Sequence, residues 1–355
     1  MSRVNLNVSK LVRPNIAKLS PYTSARDEYK GDKGVFLDAN ENPFGTVNRY
    51  PDPYQNRLKQ VISEIKEGSV KELFLGNGSD EAIDLAFRIF CEPNKDKAIV
   101  FTPTYGMYEV YANINAVELI AIPLNIEFQI DTKIVEPYLK DEAVKLMFIC
   151  SPNNPTGNLI NREIIIRILE QFKGIVILDE AYIDFSKEAS WLAVLIQYPN
   201  LIILQTLSKG WGMAGLRIGL AWMSEELLYY FNKVKSPYNL SSTNQEQAID
   251  ILRDREGFDQ RVALLLSEKD RVRNELMNLS ITQVVYPSDA NYLLVKFNNA
   301  NQLYDELINR QIIVRNRSKV VDNTLRISIG LPEENNQLLT ALKAITSEKE
   351  SIIYR

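Results

Sequence analysis

Two apolar runs in this chain end in side chains of opposite charge. Leu201-Ile202-Ile203-Leu204 leads into Thr206-Leu207-Ser208-Lys209, and Gly174-Ile175-Val176-Ile177-Leu178 ends in Asp179-Glu180-Ala181-Tyr182. A lysine amine at the end of a buried strand can condense with an aldehyde, and a carboxylate can keep a pyridine nitrogen protonated. Together the two chemistries point to pyridoxal 5'-phosphate as a cofactor. The chain contains no histidine. A His-based triad, a His-ligated zinc and a His general base are therefore excluded. A proton shuttle near neutral pH needs another group, and a lysine of lowered pKa is the obvious candidate.

Other residues could complete such a site, and each also has a plainer reading. Asp179 ends a strand that should be buried, where a carboxylate is costly unless paired. It either meets a pyridinium or serves as a helix cap or structural ion pair. Tyr182 could hydrogen-bond a ring oxygen of the cofactor. Thr206, Ser208, Lys209 and Arg217 form the densest cluster. Two hydroxyls and a guanidinium can share a doubly charged phosphate, although lysine and arginine more often lie on the surface. Between them, Gly210-Trp211-Gly212-Met213-Ala214-Gly215 lets the backbone turn tightly. Gly76-Asn77-Gly78-Ser79-Asp80-Glu81 opens a helix. Its free N–H groups could hold a phosphate, or it could be a bare strand-to-helix turn. In Ser151-Pro152-Asn153-Asn154-Pro155-Thr156-Gly157 the prolines stiffen a loop that could aim the Asn154 amide at a ring substituent. Arg315 and Arg326 stand beside strand-like apolar residues. Each could bind a phosphate or carboxylate, or sit in a structural ion pair.

The elements that position these residues follow from the hydropathy pattern. Apolar runs at 73–75, 98–102, 117–122, 146–150, 175–179, 201–204 and 218–222 read as strands. Helical stretches separate them, which implies a mostly parallel sheet covered on both faces. Ala82, Ile83, Leu85, Ala86, Phe87, Ile89 and Phe90 form the buried side of the first such helix. In open α/β sheets ligands sit at the carboxyl ends of the strands, where the informative segments fall. Beyond Ser236-Pro237-Tyr238 the pattern changes. It predicts a long helical region over 245–279, a helix over 302–310, and strands over 292–297 and 325–329. The expected division is a large α/β domain over 36–238, with an N-terminal arm (1–35) and a small α+β domain (239–355).

Length and composition agree with this picture. A chain of 355 residues suggests two domains. A net charge of -4 argues against a general nucleic-acid binder. Cys91 and Cys150 read as reduced, buried residues of a cytoplasmic protein. The N-terminus shows no apolar core of signal-peptide length, and no apolar run approaches the ~20 residues that span a bilayer.

A series of ordered strings then narrows the reading. LDANENPFG (37–45), RYPDP (49–53), GNGSDE (76–81), PTYGMY (103–108), SPNNPTG (151–157), DEAYIDF (179–185), TLSK (206–209) and AGLRIG (214–219) resemble those of histidinol-phosphate aminotransferases. LVRPNIAKLSPYTSAR (11–26) and SDANYLL (288–294) also fit this family. It is a fold-type I, pyridoxal-phosphate-dependent family of histidine biosynthesis, with a mostly parallel seven-stranded sheet. The resemblance implies that Lys209 holds the cofactor covalently, that Asp179 meets its ring nitrogen, and that Asn154 and Tyr182 hold its ring oxygen. It implies that Tyr105 stacks on the ring. The cofactor phosphate would be held at Gly78, Ser79 and Asp80, by Thr206, Ser208 and Arg217, and by Tyr50 from a partner subunit. Tyr22, Asn154, Arg315 and Arg326 would bind the substrate. A homodimer with shared active sites is implied, with no nucleic acid or membrane partner.

Related families leave alternatives open. A threonine-phosphate decarboxylase or an aromatic amino-acid aminotransferase would share most of these strings. A ligand-sensing regulator on the same fold would need an added DNA-binding domain, and the resemblance already begins near residue 11. Two positions depart from the family pattern: Gly210-Trp211 stands where Ala-Phe is common, and Asn316 where Asp is common.

Overall fold

The seven apolar runs become one sheet. In the computed structural model, which describes residues 7–23 and 34–353, its strands are β1 (Leu73–Asn77), β2 (Lys97–Thr102), β3 (Glu118–Pro123), β4 (Val144–Cys150), β5 (Ile175–Asp179), β6 (Leu201–Thr206) and β7 (Ile218–Trp222). Their order is β1-β7-β6-β5-β4-β2-β3. Neighbours from β6 to β3 are parallel, and β7 alone runs antiparallel to β6 and β1. Every residue of β5, β6 and β7 is buried, which is why these strands are apolar throughout rather than alternating.

Successive side chains of a strand point to opposite faces. Met147, Ile149, Val176, Leu178, Leu201 and Ile203 enter one core. Leu146, Phe148, Ile175, Ile177, Ile202 and Leu204 enter the other. Helices Asn56–Lys66, Arg162–Gln171 and Ser242–Leu252 cover the first face, and Ser79–Phe90 and Glu225–Val234 cover the second. The Ser79–Phe90 helix buries the seven residues expected from its periodicity.

A second, antiparallel sheet follows, ordered β10 (Arg315–Asn316), β11 (Thr324–Ser328), β9 (Tyr292–Phe297) and β8 (Thr282–Val285). It has its own core, formed with the helices Arg255–Met277, Ala300–Asn309 and Pro332–Ile353. β9 and β11 match the expected strands. β8 was not expected because it is a mostly exposed edge, and β10 because it is only two residues long. The long helical region expected over 245–279 is made of two helices. It breaks at Arg253-Asp254, where the Asp254 carboxylate accepts the Gly257 N–H (3.0 Å) and caps the second helix. Residues 24–26, the end of the N-terminal string, lie outside the described residues.

Lys59, on the Asn56–Lys66 helix, is only 5% exposed. Burial, with Lys235 nearby, pushes its amine down to about 8 against an opposing pull from Asp52. Below that pH the folded and unfolded chains both carry the charge, and the folded chain bears the cost of burying it. Between about 8 and the ordinary lysine value near 10.4, only the unfolded chain keeps the proton, so this residue's contribution to stability rises with pH. Lys59→Met is therefore expected to exceed the parent in stability near neutral pH, with the difference shrinking through that window in urea unfolding. A pH-independent difference would remove the assignment.

Candidate active site

The carboxyl ends of β4, β5 and β6 and the start of the Ser79–Phe90 helix meet in one cleft. It is lined by Gly78, Ser79, Asp80, Tyr105, Cys150, Asn154, Asp179, Ala181, Tyr182, Thr206, Ser208, Lys209, Ala214 and Arg217. Eleven of the residues singled out from sequence come together here from segments more than a hundred positions apart. The site lies where the parallel strands present their carboxyl ends, as in other open α/β sheets.

Asp179 closes β5 and is 3% exposed. Its Oδ2 accepts the Tyr108 hydroxyl at 2.6 Å, and its Oδ1 accepts the Ala181 N–H at 3.0 Å. Burial pushes the carboxyl above its usual range, while Tyr108, Ala181 and the more distant Lys209 pull it back. Among the described residues no cationic side chain forms an ion pair with it. Lys209 follows β6 in a loop closed by the Leu207 N–H to the Ile218 carbonyl and the Met213 N–H to the Leu207 carbonyl. Its Nζ lies 5.7 Å from the centre of the Tyr182 ring. Burial and then Arg326 lower its pKa, and Asp179 and Asp80 oppose them.

The Ser151–Gly157 loop is fixed by Asn153. Its side-chain amide nitrogen donates to the Pro103 carbonyl (2.8 Å) and to Thr156 Oγ1 (2.7 Å), while its backbone carbonyl accepts the Tyr292 hydroxyl at 2.7 Å. This leaves Asn154 free to face the cleft. Its Nδ2 lies 3.4 Å from the Tyr182 hydroxyl, and its Oδ1 accepts Arg326 Nη1 at 2.6 Å. Arg326 comes from β11, so Asn154 joins the two sheets. Tyr105 stands edge-on to Tyr108 (5.5 Å between ring centres), and its hydroxyl donates to Asp80 Oδ1 at 3.2 Å. Burial and Asp80 raise its pKa.

At the other end of the cleft the donors suit a phosphate. Thr206 and Ser208 supply hydroxyls, and the Ser79–Phe90 helix opens with unpaired N–H groups. Arg217 lies 3.8 Å from Asp80 Oδ2. Gly78 has φ +75°, and a Cβ there would stand 2.7 Å from Arg217 Nη2, so the cradle forms only around a glycine. These donors fit the phosphate of pyridoxal 5'-phosphate. At the opposite end, the buried Asp179 without an ion pair fits its cationic ring nitrogen.

Three residues expected at the site lie elsewhere in this chain or at the edge of the cleft. Tyr22 lines a separate hollow with Tyr54, Lys233 and Tyr238. Tyr50 stacks on Tyr238 (4.5 Å). Arg315 is exposed and lies opposite Arg326 in the β10–β11 pair.

Two supporting residues were not picked out from sequence. Tyr108 follows Tyr105 by one helical turn, which was a usable signal. Asn153 sits beside the more conspicuous Asn154. The departures are locally explained. A Cβ at Gly210 would stand 2.5 Å from Asp184 Oδ2, and Asp184 pairs with Lys66 at 2.6 Å. Trp211 stacks on Phe258 at 4.1 Å between ring centres. The Asn316 amide bonds to Asn301 (2.8 Å), on the opposite side of β10 from Arg315. An acid at position 316 would meet Asn301 rather than Arg315.

Tyr108 is buried, and its hydroxyl donates to Asp179 at 2.6 Å with the Cys150 thiol beside it. Tyr108→Phe is expected to lower stability by about 1.5–3 kcal/mol, the usual worth of a hydrogen bond to a charged group. Equilibrium denaturation measures it, and an unchanged stability would show that Asp179 does not depend on this bond.

Comparison with known sequences supports an aminotransferase family. A family model described as aminotransferase class I and II matches residues 25–342. A histidinol-phosphate aminotransferase of Cytophaga hutchinsonii is 46% identical over 344 residues, 95% of this chain and 99% of the relative. One from Bacteroides thetaiotaomicron is 49% identical over 340 residues, with 95% and 98% covered. The crystal structure of the histidinol-phosphate aminotransferase from Clostridium acetobutylicum superimposes with a TM-score of 0.77 at 26% identity, covering 87% of this chain and 98% of that one. The chain belongs to the class I and II aminotransferases, in the histidinol-phosphate aminotransferase group.

Proposed function

We propose that this chain is a pyridoxal-5'-phosphate-dependent aminotransferase of histidine biosynthesis. It moves an amino group between L-histidinol phosphate and 2-oxoglutarate, giving imidazole-acetol phosphate and L-glutamate. The observation that carries the reading is the meeting of Lys209 and the buried Asp179 in one cleft, with phosphate donors at its far end. When bound, the cofactor supplies an electron-accepting ring that stabilises negative charge at the substrate Cα.

The chain's own residues do the rest. Asp179, held by Tyr108 and Ala181, keeps the ring-nitrogen proton in place. The Asn154 amide and the Tyr182 hydroxyl supply donors to the ring oxygen. Tyr105, which lines the cleft, would offer an aromatic face to the ring. Thr206, Ser208, Arg217 and the N–H groups of Ser79 and Asp80 would hold the phosphate, at a turn pinned by the Gly78 N–H donating to the Arg217 carbonyl (2.8 Å). Lys209 Nζ anchors the cofactor and then carries the proton to and from the substrate Cα. Its lowered pKa leaves more neutral amine at any given pH than an ordinary lysine has. Arg326 and Arg315 hold the anionic group of either substrate. The Arg326–Asn154 bond fixes one guanidinium relative to the ring site. Because glutamate and the phosphate ester use one site in turn, the kinetics are ping-pong.

The same reading takes 36–238 as the large domain, with 1–35 and 239–355 as the arm and small domain. It also includes a homodimer. Val35, Leu37 and Phe44 are each more than 80% exposed, an apolar surface that a second copy would cover. Tyr50, remote from its own cleft, and Tyr22 would then reach the active site of the other subunit. A cytoplasmic location follows from the pathway. Among the described residues no helix is long and apolar enough to cross a membrane.

Lys209→Ala is expected to lower turnover by on the order of 10²–10⁴-fold, the scale of a lost acid–base group, while the purified protein keeps its secondary structure by circular dichroism. In the parent, turnover should rise with pH through a titration below the ordinary lysine value. A donor screen with histidinol phosphate, phenylalanine and threonine phosphate, with and without 2-oxoglutarate, tests the substrate. Preference for phenylalanine, or CO₂ release from threonine phosphate without 2-oxoglutarate, would replace this reading.

A further inference from the structure

The small sheet turns a cationic face towards the cleft. On β11, Leu325 and Ile327 enter the apolar core, so Thr324, Arg326 and Ser328 project to the other side. Arg315 is paired opposite Arg326. The pairing runs one residue past β10, with the Arg317 N–H donating to the Thr324 carbonyl at 2.9 Å. Arg315 and Arg317 are two apart on an extended chain, so all three arginines share one face. Arg326 lies over the Tyr292 ring (5.2 Å) and reaches Asn154, so this face borders the ring site.

Three guanidiniums gathered in this way repel one another. Among the described residues none of them forms an ion pair with a carboxylate. Burial, and then Arg326 and Arg315, hold Arg317 below its ordinary value, with Tyr292 opposing them. The Nε groups of Arg317 and Arg326 are both buried without a hydrogen-bond partner. Buried donors are normally satisfied, and a cluster of like charges normally carries counter-charge. A carboxylate presents two oxygens and one charge, enough for one guanidinium fork. A phosphate monoester presents three oxygens and nearly two charges, and so can engage more than one.

We infer that Arg317 is a specificity-determining residue: with Arg315 and Arg326 it forms a three-guanidinium receptor for the phosphate dianion of one substrate, while the carboxylate of glutamate is held without it. The inference rests on the function proposed above and adds the residue that separates its two substrates.

The test compares both substrates on the holoenzyme. Arg317→Gln is expected to raise KM for histidinol phosphate about ten- to a hundredfold, the range for losing a hydrogen bond to a charged group. KM for glutamate should stay within about twofold of the parent, a difference too small to reflect a lost bond. A merely structural role would move both constants together, and that result overturns the inference. So does an unchanged KM for histidinol phosphate. Should Arg317→Gln fail to fold, Arg317→Lys carries the same comparison. It keeps the charge but loses the fork, so a smaller rise confined to the phosphate substrate supports the inference, and equal shifts overturn it. A parent enzyme that turns over glutamate but not histidinol phosphate would instead remove the proposed function, an outcome seen before any variant is made.

Discussion

A carboxylate buried at the end of a central strand is expensive, and the surroundings of the seven-stranded sheet are arranged around that cost. Asp179 is reached by two hydrogen bonds, from a tyrosine on a covering helix and from a backbone N–H two residues on. Neither bond supplies a positive charge. Desolvation of this kind drives a group either to neutralise or to acquire a cation. The cleft above it supplies a place for one, with a half-buried lysine of lowered pKa on the same wall. The same burial thus raises the proton affinity of Asp179 and lowers that of Lys209. Groups whose environments push their pKa values away from the ordinary in one cleft are the usual mark of acid–base chemistry.

The second sheet matters because it brings charge to this cleft from a distance in sequence. Asn154 lies on a loop after β4, and Arg326 on a strand 172 positions later, yet their side chains bond at 2.6 Å. The same asparagine neighbours Tyr182. Asn154 is therefore a joint between the ring site and the arginine face. Asn153 makes that possible by taking up the loop's internal bonds, including one from Tyr292 of the second sheet. Bonds of this kind position an arginine before a ligand arrives, which reduces the ordering that binding requires.

Much of this was legible in the residues. Seven buried strands announced themselves as continuous apolar runs, and the Ser79–Phe90 helix by a period that placed each of its buried residues. The break at Asp254 was missed because a capping aspartate looks like any other charged residue within a polar helix. β8 and β10 were missed because an exposed edge and a two-residue strand carry no hydropathy signal. Tyr108 and Asn153 were passed over because each stands beside a more conspicuous neighbour, and their importance lies in what they hold rather than in what they present.

The sequence by itself determined which chemistry was open to this protein. With no histidine, a lysine at a strand end became the proton-shuttle candidate and an aspartate at another the partner for a ring nitrogen, and the ordered motifs pointed to the family. Only the tertiary structure decided the partnerships: that Tyr108 holds Asp179, that Arg326 reaches Asn154, and that Arg317 shares a face with two other arginines. The physical reason is range. Strand and helix patterns are written in neighbours two to four residues apart, whereas hydrogen bonds and charge clusters join segments that meet only when two sheets pack together.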